Sequence, residues 1–170
     1  MARIMMVPFL ILCYYIGIPG WNYYAAAIFI VASITDMLDG MLARKMRLVS
    51  NFGKLMDPIA DKVLFMAALL IVMDWGKIGP LVAILLLARE FVISGFRLVA
   101  ASEGIVVPAG TVGKWKTVIQ LVGISSILLE NPFFSLIHVP FGEILVYISV
   151  VLSIWSCIEY IYKNRELLKG

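Results

Sequence analysis

Four aspartates stand close together in a chain that is too apolar for a soluble protein: Asp36, Asp39, Asp57 and Asp61. They form the pattern D-x2-D-G-x2-A-R-x8-G-x3-D-x3-D, whose other members are Gly40, Ala43, Arg44 and Gly53. An acidic side chain at the bilayer centre costs about 2.5–3.5 kcal/mol, so four of them would cost roughly 10 kcal/mol or more. This cost is tolerated when the acids share cations or lie at the edge of the water. We therefore interpret the pattern as a two-metal site.

The composition indicates an integral membrane protein built from helices. Of the 170 residues 62% are hydrophobic, whereas soluble domains are roughly 45–50% apolar. A single histidine and two cysteines argue against a His-based or Cys-based metal site and against a disulfide framework. No linker-like segment divides the chain, so we expect one domain over residues 1–170.

Six apolar runs predict six transmembrane helices: residues 4–16, 23–34, 63–73, 78–88, 118–129 and 144–158. Each run is shorter than the roughly 20 residues that cross the hydrocarbon core. We therefore expect each helix to continue through a charged end into a polar region. The predicted fold is an all-α membrane bundle with a polar active-site cavity that faces the cytoplasm.

The charged residues lie at alternate ends of successive runs. If the helices cross the membrane alternately, 13 of the 14 lysines and arginines share one side and only Lys77 lies on the other. The positive-inside rule places that side, and both termini, in the cytoplasm of a multi-pass cell-membrane protein. The opposite loops, 17–22, 74–79 and 130–142, contain Gly, Pro and Asn, and they predict turns beside an aromatic belt of Trp21, Tyr23, Tyr24 and Trp75.

The spacing of the aspartates predicts one shared groove. Asp36 and Asp39 are three positions apart and Asp57 and Asp61 are four apart, so each pair lies on one helix face. A short connection over 46–52 brings the two pairs together. Oxygen ligands favour Mg²⁺ or Mn²⁺, and two such ions clamp a phosphoryl group between attacking and leaving oxygens. The alternative is a set of ion pairs with nearby lysines and arginines.

A second charged group follows on the fourth and fifth predicted helices: Arg89, Glu90, Arg97, Lys114, Lys116 and Thr117. Arg89 and Arg97 differ by about 80° around an ideal helix and are expected to flank one pocket. Lys114 and Lys116 differ by about 200°, so we expect Lys114 to face inward with Thr117 and Lys116 to reach lipid phosphates.

We expect the fifth helix to start at Gly113, where free N–H groups favour an anion, and Glu90 to pair with Arg97. These cations predict an acceptor alcohol that carries phosphate, bound by Arg89, Arg97, Lys114 and, less directly, Lys116. Anchoring of the same residues to the membrane surface is the alternative.

The carboxylate pattern resembles the signature of the CDP-alcohol phosphotransferase family at every position. The resemblance implies that an alcohol attacks the β-phosphorus of a CDP-linked lipid and that CMP leaves. It also implies that Asp36, Asp39 and Asp57 are metal ligands and that Asp61 is the general base, which also touches a metal. The nucleotide would contact the first three of these aspartates together with Gly40, Ala43, Arg44 and Gly53.

The segments A-R-E-F-V-I-S-G-F-R (88–97) and G-K-W-K-T (113–117) resemble the phosphatidylglycerophosphate synthase branch of the family. That resemblance implies CDP-diacylglycerol and sn-glycerol 3-phosphate as substrates, and a homodimer. Other acceptors, phosphatidylglycerol or inositol phosphate, keep the same chemistry, and a cation transporter is the alternative from another class. Members of this branch usually carry a short polar stretch before the arginine that Arg3 matches, so we expect a shortened N-terminal segment here. Small residues are available for packing within or between chains: Gly95, Gly123, Ser125 and Ser126.

Overall fold

The computed structural model describes residues 2–46, 51–102, 111–131 and 139–163; within these ranges the side chains of residues 2, 3, 36–46, 51–61, 101, 102 and 111 are outside the description. Regular secondary structure in the described ranges is entirely helical. The six helices are α1 (Ala2–Ile16), α2 (Trp21–Met46), α3 (Asn51–Asp74), α4 (Pro80–Ser102), α5 (Thr111–Leu128) and α6 (Phe141–Lys163).

The prediction of six helices that continue past their apolar runs is confirmed. α2 extends twelve residues beyond position 34, and α3 begins twelve residues before position 63, so both aspartate pairs lie on helices. α4 likewise continues through the charged segment to Ser102. The connection between α2 and α3, residues 47–50, lies outside the described residues.

Among the described residues, α6 is the one helix that is long and apolar enough to cross a membrane by itself. The apolar parts of α1 and α2, Ile4–Ile16 and Trp21–Thr35, are shorter. The charged residues in α3 and α4 interrupt their apolar character. Length and composition alone therefore identify one candidate span in this part of the chain.

The helices pack in two groups that share one core. α1 lies against α2 and α3, α5 pairs most extensively with α6, and α4 also contacts α6. Fully buried side chains from all six helices form this core, among them Leu10, Phe29, Leu69, Leu86, Ile124 and Val146. α2 and α3 both contact α5, and α3 also contacts α4. The aspartate-bearing helices therefore pack in the same bundle as the helix that carries Arg89 and Arg97.

An aromatic cluster lies at the end of the bundle opposite the acidic signature. The ring centroids of Trp21 and Trp75 are 4.9 Å apart, and Tyr14 lies 4.8 Å from Trp21. The Tyr14 hydroxyl donates to Oδ2 of Asp74 at 2.6 Å, and the ammonium of Lys77 lies 4.6 Å from the Trp75 ring. These contacts join α1, α2 and the end of α3.

Two of the three predicted turn segments, 17–22 and 74–79, contain turns at this end of the bundle, whereas residues 132–138 of the third segment, 130–142, lie outside the described residues. Gly17, Gly20 and Gly76 have φ values of 65°, 75° and 77°, which glycine adopts without the steric cost of a Cβ atom.

Candidate active site

A pocket forms where α4, α5 and α6 meet at the charged end of the bundle. Three helices contribute its lining: Arg89 and Arg97 from α4, Val112 and Gly113 from α5, and Ser156, Glu159 and Tyr160 from α6. The two arginines flank one pocket, as their spacing predicts. The lining contains one further charged side chain, Glu159, which accepts a hydrogen bond from Lys163 at 2.6 Å.

Arg89 is held in this pocket by two fixed partners. Its Nη1 donates to Oε1 of Glu90 at 3.1 Å, and its Nη2 donates to Oγ of Ser156 at 2.9 Å. Its Nε is buried and has no hydrogen-bond partner among the described residues. A Cβ atom at Gly113 would lie 3.6 Å from Nη2, so this part of α5 lies directly beside the guanidinium. Arg89 is thus oriented within the pocket and retains a donor that the described protein atoms leave unused.

Arg97 lies farther along α4 and contacts α6 through Tyr160. Its Nε donates to the Tyr160 hydroxyl at 3.4 Å, and its guanidinium carbon lies 5.5 Å from the centroid of that ring. The Tyr160 ring in turn packs edge-on against Phe96 at 5.5 Å. The side chain of Arg97 remains exposed, so its charge faces the open side of the pocket.

The expected orientation of the two α5 lysines is wrong. Lys116 is 1% exposed, and its ammonium donates to Oε1 of Glu90. Lys114 and Thr117 are exposed, and the Thr117 hydroxyl donates to the carbonyl of Gly113 at 3.0 Å. The periodicity correctly separates the two lysines, but the carboxylate on α4 turns Lys116, rather than Lys114, toward the bundle.

Two related expectations also need correction. Glu90 pairs with Arg89 and Lys116 and not with Arg97, because Arg97 is directed toward Tyr160 of α6. α5 begins at Thr111, two residues before the expected start at Gly113.

A hydrogen-bonded link connects the aspartate-bearing helix α3 to the pocket. Lys62, which directly follows Asp61, donates from Nζ to Oγ of Ser94. Ser94 donates to the backbone carbonyl of Glu90 at 2.5 Å. The segment that carries Asp61 and the segment that carries Arg89 are therefore joined through half-buried polar groups.

The four aspartates and the expected nucleotide residues Gly40, Ala43, Arg44 and Gly53 have side chains that lie outside the description. Their backbone positions are helical, in α2 up to Met46 and in α3 from Asn51, so the spacing argument for two shared faces applies to the observed helices. The donor set, four carboxylates without sulfur or imidazole, fits a hard divalent cation. Where side chains are described, no cluster of three or more His, Cys, Asp or Glu residues occurs.

Sequence reasoning missed the contribution of α6 to the pocket. Ser149, Ser153, Ser156 and Tyr160 follow one another at intervals of four, three and four residues, which is the period of one helix face. The three serines are buried in an otherwise apolar helix. This periodic polar stripe was the available signal.

Comparison with known proteins relates the chain to enzymes of lipid synthesis. The model of the CDP-alcohol phosphatidyltransferase family matches residues 1–155. A Bacillus subtilis protein is 42% identical over 90% of this chain and 79% of its own length. A Rickettsia bellii protein is 38% identical over 94% of this chain and 88% of its own length. An Arabidopsis thaliana protein is 36% identical over 99% of this chain and 79% of its own length. The two bacterial relatives are named CDP-diacylglycerol--glycerol-3-phosphate 3-phosphatidyltransferase, and the plant relative bears the same name with the number 2. The chain belongs to the CDP-alcohol phosphatidyltransferase family.

Proposed function

We propose that this chain is a phosphatidylglycerophosphate synthase, which transfers the phosphatidyl group of CDP-diacylglycerol to sn-glycerol 3-phosphate and releases CMP. The observation that carries the proposal is the shared enzyme name of relatives that are 36–42% identical over at least 90% of the chain. The acidic signature and the arginine pocket agree with it, since the reaction needs a metal-bound diphosphate and an anionic acceptor.

The family is generally dependent on divalent metal ions, and we assign that role here to Asp36, Asp39, Asp57 and Asp61. Two Mg²⁺ or Mn²⁺ ions bound there would neutralise charge on the diphosphate as the phosphorus–oxygen bonds change. The carboxylates suit these ions because hard cations prefer oxygen ligands. Asp36, Asp39 and Asp57 would also contact the nucleotide, by way of the bound ions.

Asp61 is proposed as the general base. The acceptor hydroxyl oxygen forms a new bond to the β-phosphorus of CDP-diacylglycerol. The bond from that phosphorus to the oxygen shared with the α-phosphorus breaks, and CMP leaves with the bonding electrons. The hydroxyl proton passes to the Asp61 carboxylate, which requires an approach of about 2.6–3.2 Å or one intervening water.

The nucleotide is proposed to lie along the signature residues of α2 and α3. Gly40 and Gly53 present no side chain, and Ala43 presents a small one, so a ligand can approach the helix backbone closely. Arg44 would pair with a diphosphate oxygen, where its planar donors suit a bidentate contact.

The acceptor phosphate is proposed to bind in the pocket of α4, α5 and α6. Arg89 and Arg97 both line this pocket, and they bring two guanidinium groups to one cavity. A phosphate there would accept charge-assisted hydrogen bonds from these groups, and such bonds are roughly twice as strong as neutral ones. Lys114, exposed near the start of α5, would add attraction at the pocket edge.

We also propose that all six helices span the cell membrane, with the pocket and both termini on the cytoplasmic side. The support is the order of lysine and arginine along the sequence, which with alternating crossings assigns only Lys77 to the opposite side. A homodimer is proposed from the family resemblance.

The test is release of CMP from CDP-diacylglycerol by detergent-purified protein with Mg²⁺. The acceptors compared are sn-glycerol 3-phosphate, glycerol, inositol phosphate and phosphatidylglycerol. We expect release with sn-glycerol 3-phosphate alone. Release with another acceptor would overturn the acceptor assignment, and absence of release with every acceptor would overturn the proposed reaction.

A further inference from the structure

We infer that Glu90 and Lys116 form an internal pair that positions Arg89 in the pocket, and that Lys116 itself does not touch the acceptor. This inference rests on the proposed function, because it assigns a task within the acceptor pocket of that reaction. It makes Glu90 and Lys116 positioning residues and leaves phosphate contact to the arginines.

The first observation is the burial of Lys116. Its side chain is 1% exposed and does not line the pocket. Its ammonium is directed at Oε1 of Glu90, and it lies 6.0 Å from the centroid of the Phe65 ring. A ligand in the pocket would therefore meet Arg89, Arg97 and Gly113 and not the ammonium of Lys116.

The second observation is that one carboxylate oxygen accepts hydrogen bonds from two cationic side chains. Oε1 of Glu90 accepts from Lys116 and also from Nη1 of Arg89 at 3.1 Å. The charges of Glu90 and Lys116 cancel within the bundle, so one net positive charge remains at Arg89. Without Lys116, the carboxylate would be neutralised by Arg89 alone, and the positive charge available to a phosphate would be lost.

The third observation is that Arg89 is fixed from two sides. Glu90 holds Nη1 and Ser156 of α6 holds Nη2, so two nitrogens of the planar group are anchored before a ligand arrives. An anchored guanidinium loses little conformational freedom on binding, which favours affinity. Glu90 thus contributes to binding through the orientation of Arg89, although its own charge repels phosphate.

This arrangement is tested with E90Q, K116M and the double variant, which keep the side-chain volumes nearly unchanged. The measurement is the KM for sn-glycerol 3-phosphate in CMP release, together with the KM for CDP-diacylglycerol and kcat. We expect each single variant to raise the acceptor KM about tenfold or more, the size expected for loss of a charge-assisted hydrogen bond. In E90Q alone, the uncompensated ammonium of Lys116 competes with Nη1 of Arg89 for the single amide oxygen. We expect the double variant to return to within about threefold of the wild type, because that competitor is gone and the amide oxygen accepts from Nη1 of an Arg89 that keeps its charge.

Direct binding of phosphate by Lys116 predicts a different pattern of acceptor KM values. E90Q would then leave the acceptor KM unchanged or lower it, since a repelling charge is removed, and K116M would be as impaired alone as with E90Q. Either result overturns the inference. K77M makes the same substitution at the far end of the bundle and should leave all three constants unchanged.

Misfolding and failure of the proposed function are both distinguishable from failure of the inference. Each single variant leaves one buried charge uncompensated and is therefore more prone to unfold, whereas the double variant leaves none. If the single variants cannot be purified, the acceptor KM of the double variant tests the inference. The melting temperature of each purified variant shows whether that variant has lost stability. If the wild type uses another phosphorylated acceptor, the proposed function fails, and the same comparison of KM values is made with that acceptor.

Discussion

Gly142 at the start of α6 lies directly against the backbone of Gly123 in α5. A Cβ atom at Gly142 would lie 2.8 Å from the carbonyl oxygen of Gly123 and 2.8 Å from the backbone nitrogen of Ile127. Real Cβ atoms do not approach so closely, so the absence of both side chains sets the separation of these helices. The same pair of helices carries Gly113 and Ser156 to the pocket, and their close packing therefore affects the site.

We expect Gly142→Ala to destabilise the protein by about 1–3 kcal/mol, the usual cost of overpacking, because the backbone of α5 must move. The measurement is the melting temperature of the detergent-purified protein. Gly95→Ala is the control, since a Cβ atom there meets no atom within 4 Å. Alanine also favours a helix over glycine by roughly 0.5–1 kcal/mol, so the control should match or exceed the wild type. An unchanged melting temperature for Gly142→Ala would contradict the close approach of α5 and α6.

We expect Ser156→Ala to raise the KM for sn-glycerol 3-phosphate about tenfold, because Nη2 of Arg89 loses its charge-assisted partner. Steady-state release of CMP measures this change. Ser149→Ala is a matched control, since both serines donate to the carbonyl three residues before, Ser149 at 2.7 Å and Ser156 at 3.1 Å. Equal effects of the two substitutions would indicate that loss of a buried serine, and not loss of the Arg89 contact, is responsible.

We expect Asp61→Asn to reduce kcat by about 10²–10⁴-fold, the range for loss of a general base. The amide keeps the size of the side chain but cannot accept the proton of the acceptor hydroxyl. The readout is kcat at saturating concentrations of both substrates. Asp74→Asn is the control, because Asp74 lies at the opposite end of the bundle beside Tyr14. Retention of more than about a tenth of the wild-type kcat by Asp61→Asn would refute its assignment as base.

We expect removal of divalent ions with EDTA to abolish CMP release, because the diphosphate would lose its counter-charge and the four aspartates would repel one another. Addition of Mg²⁺ or Mn²⁺ in excess of the chelator should restore the rate. Ca²⁺ is the comparison, since it prefers more ligands and longer bonds than Mg²⁺. Full activity in EDTA would argue against a metal-dependent transfer.

We expect a cysteine at Lys77 to react with an impermeant maleimide in intact bacterial cells, and a cysteine at Lys114 to react only after permeabilisation. The reason is that α4 separates the two positions and is proposed to cross the membrane. The background protein replaces Cys13 and Cys157, the two native cysteines, with serine. Labelling of both positions from the same side would contradict the proposed crossing of α4.

The six helices were predictable because apolar runs and charged ends are local properties of the chain. α2 and α3 extend through the acidic signature as expected, and Arg89 and Arg97 line one pocket because their spacing on α4 alone limits their angular separation. The family was predictable for a related reason, since its signature is a pattern of residue types and intervals. The roles of the four aspartates remain predictions that the kinetic experiments above address.

The sequence by itself therefore determined the helices, the position of the acidic signature on two of them and the membership in the family. The tertiary structure decided which lysine of α5 turns inward and which groups hold Arg89. Helical periodicity separates Lys114 from Lys116 but leaves the rotation of the whole helix undetermined. That rotation is set by partners distant in sequence: Glu90 on α4 draws Lys116 inward, and the close contact between Gly123 and Gly142 brings Ser156 of α6 to the pocket.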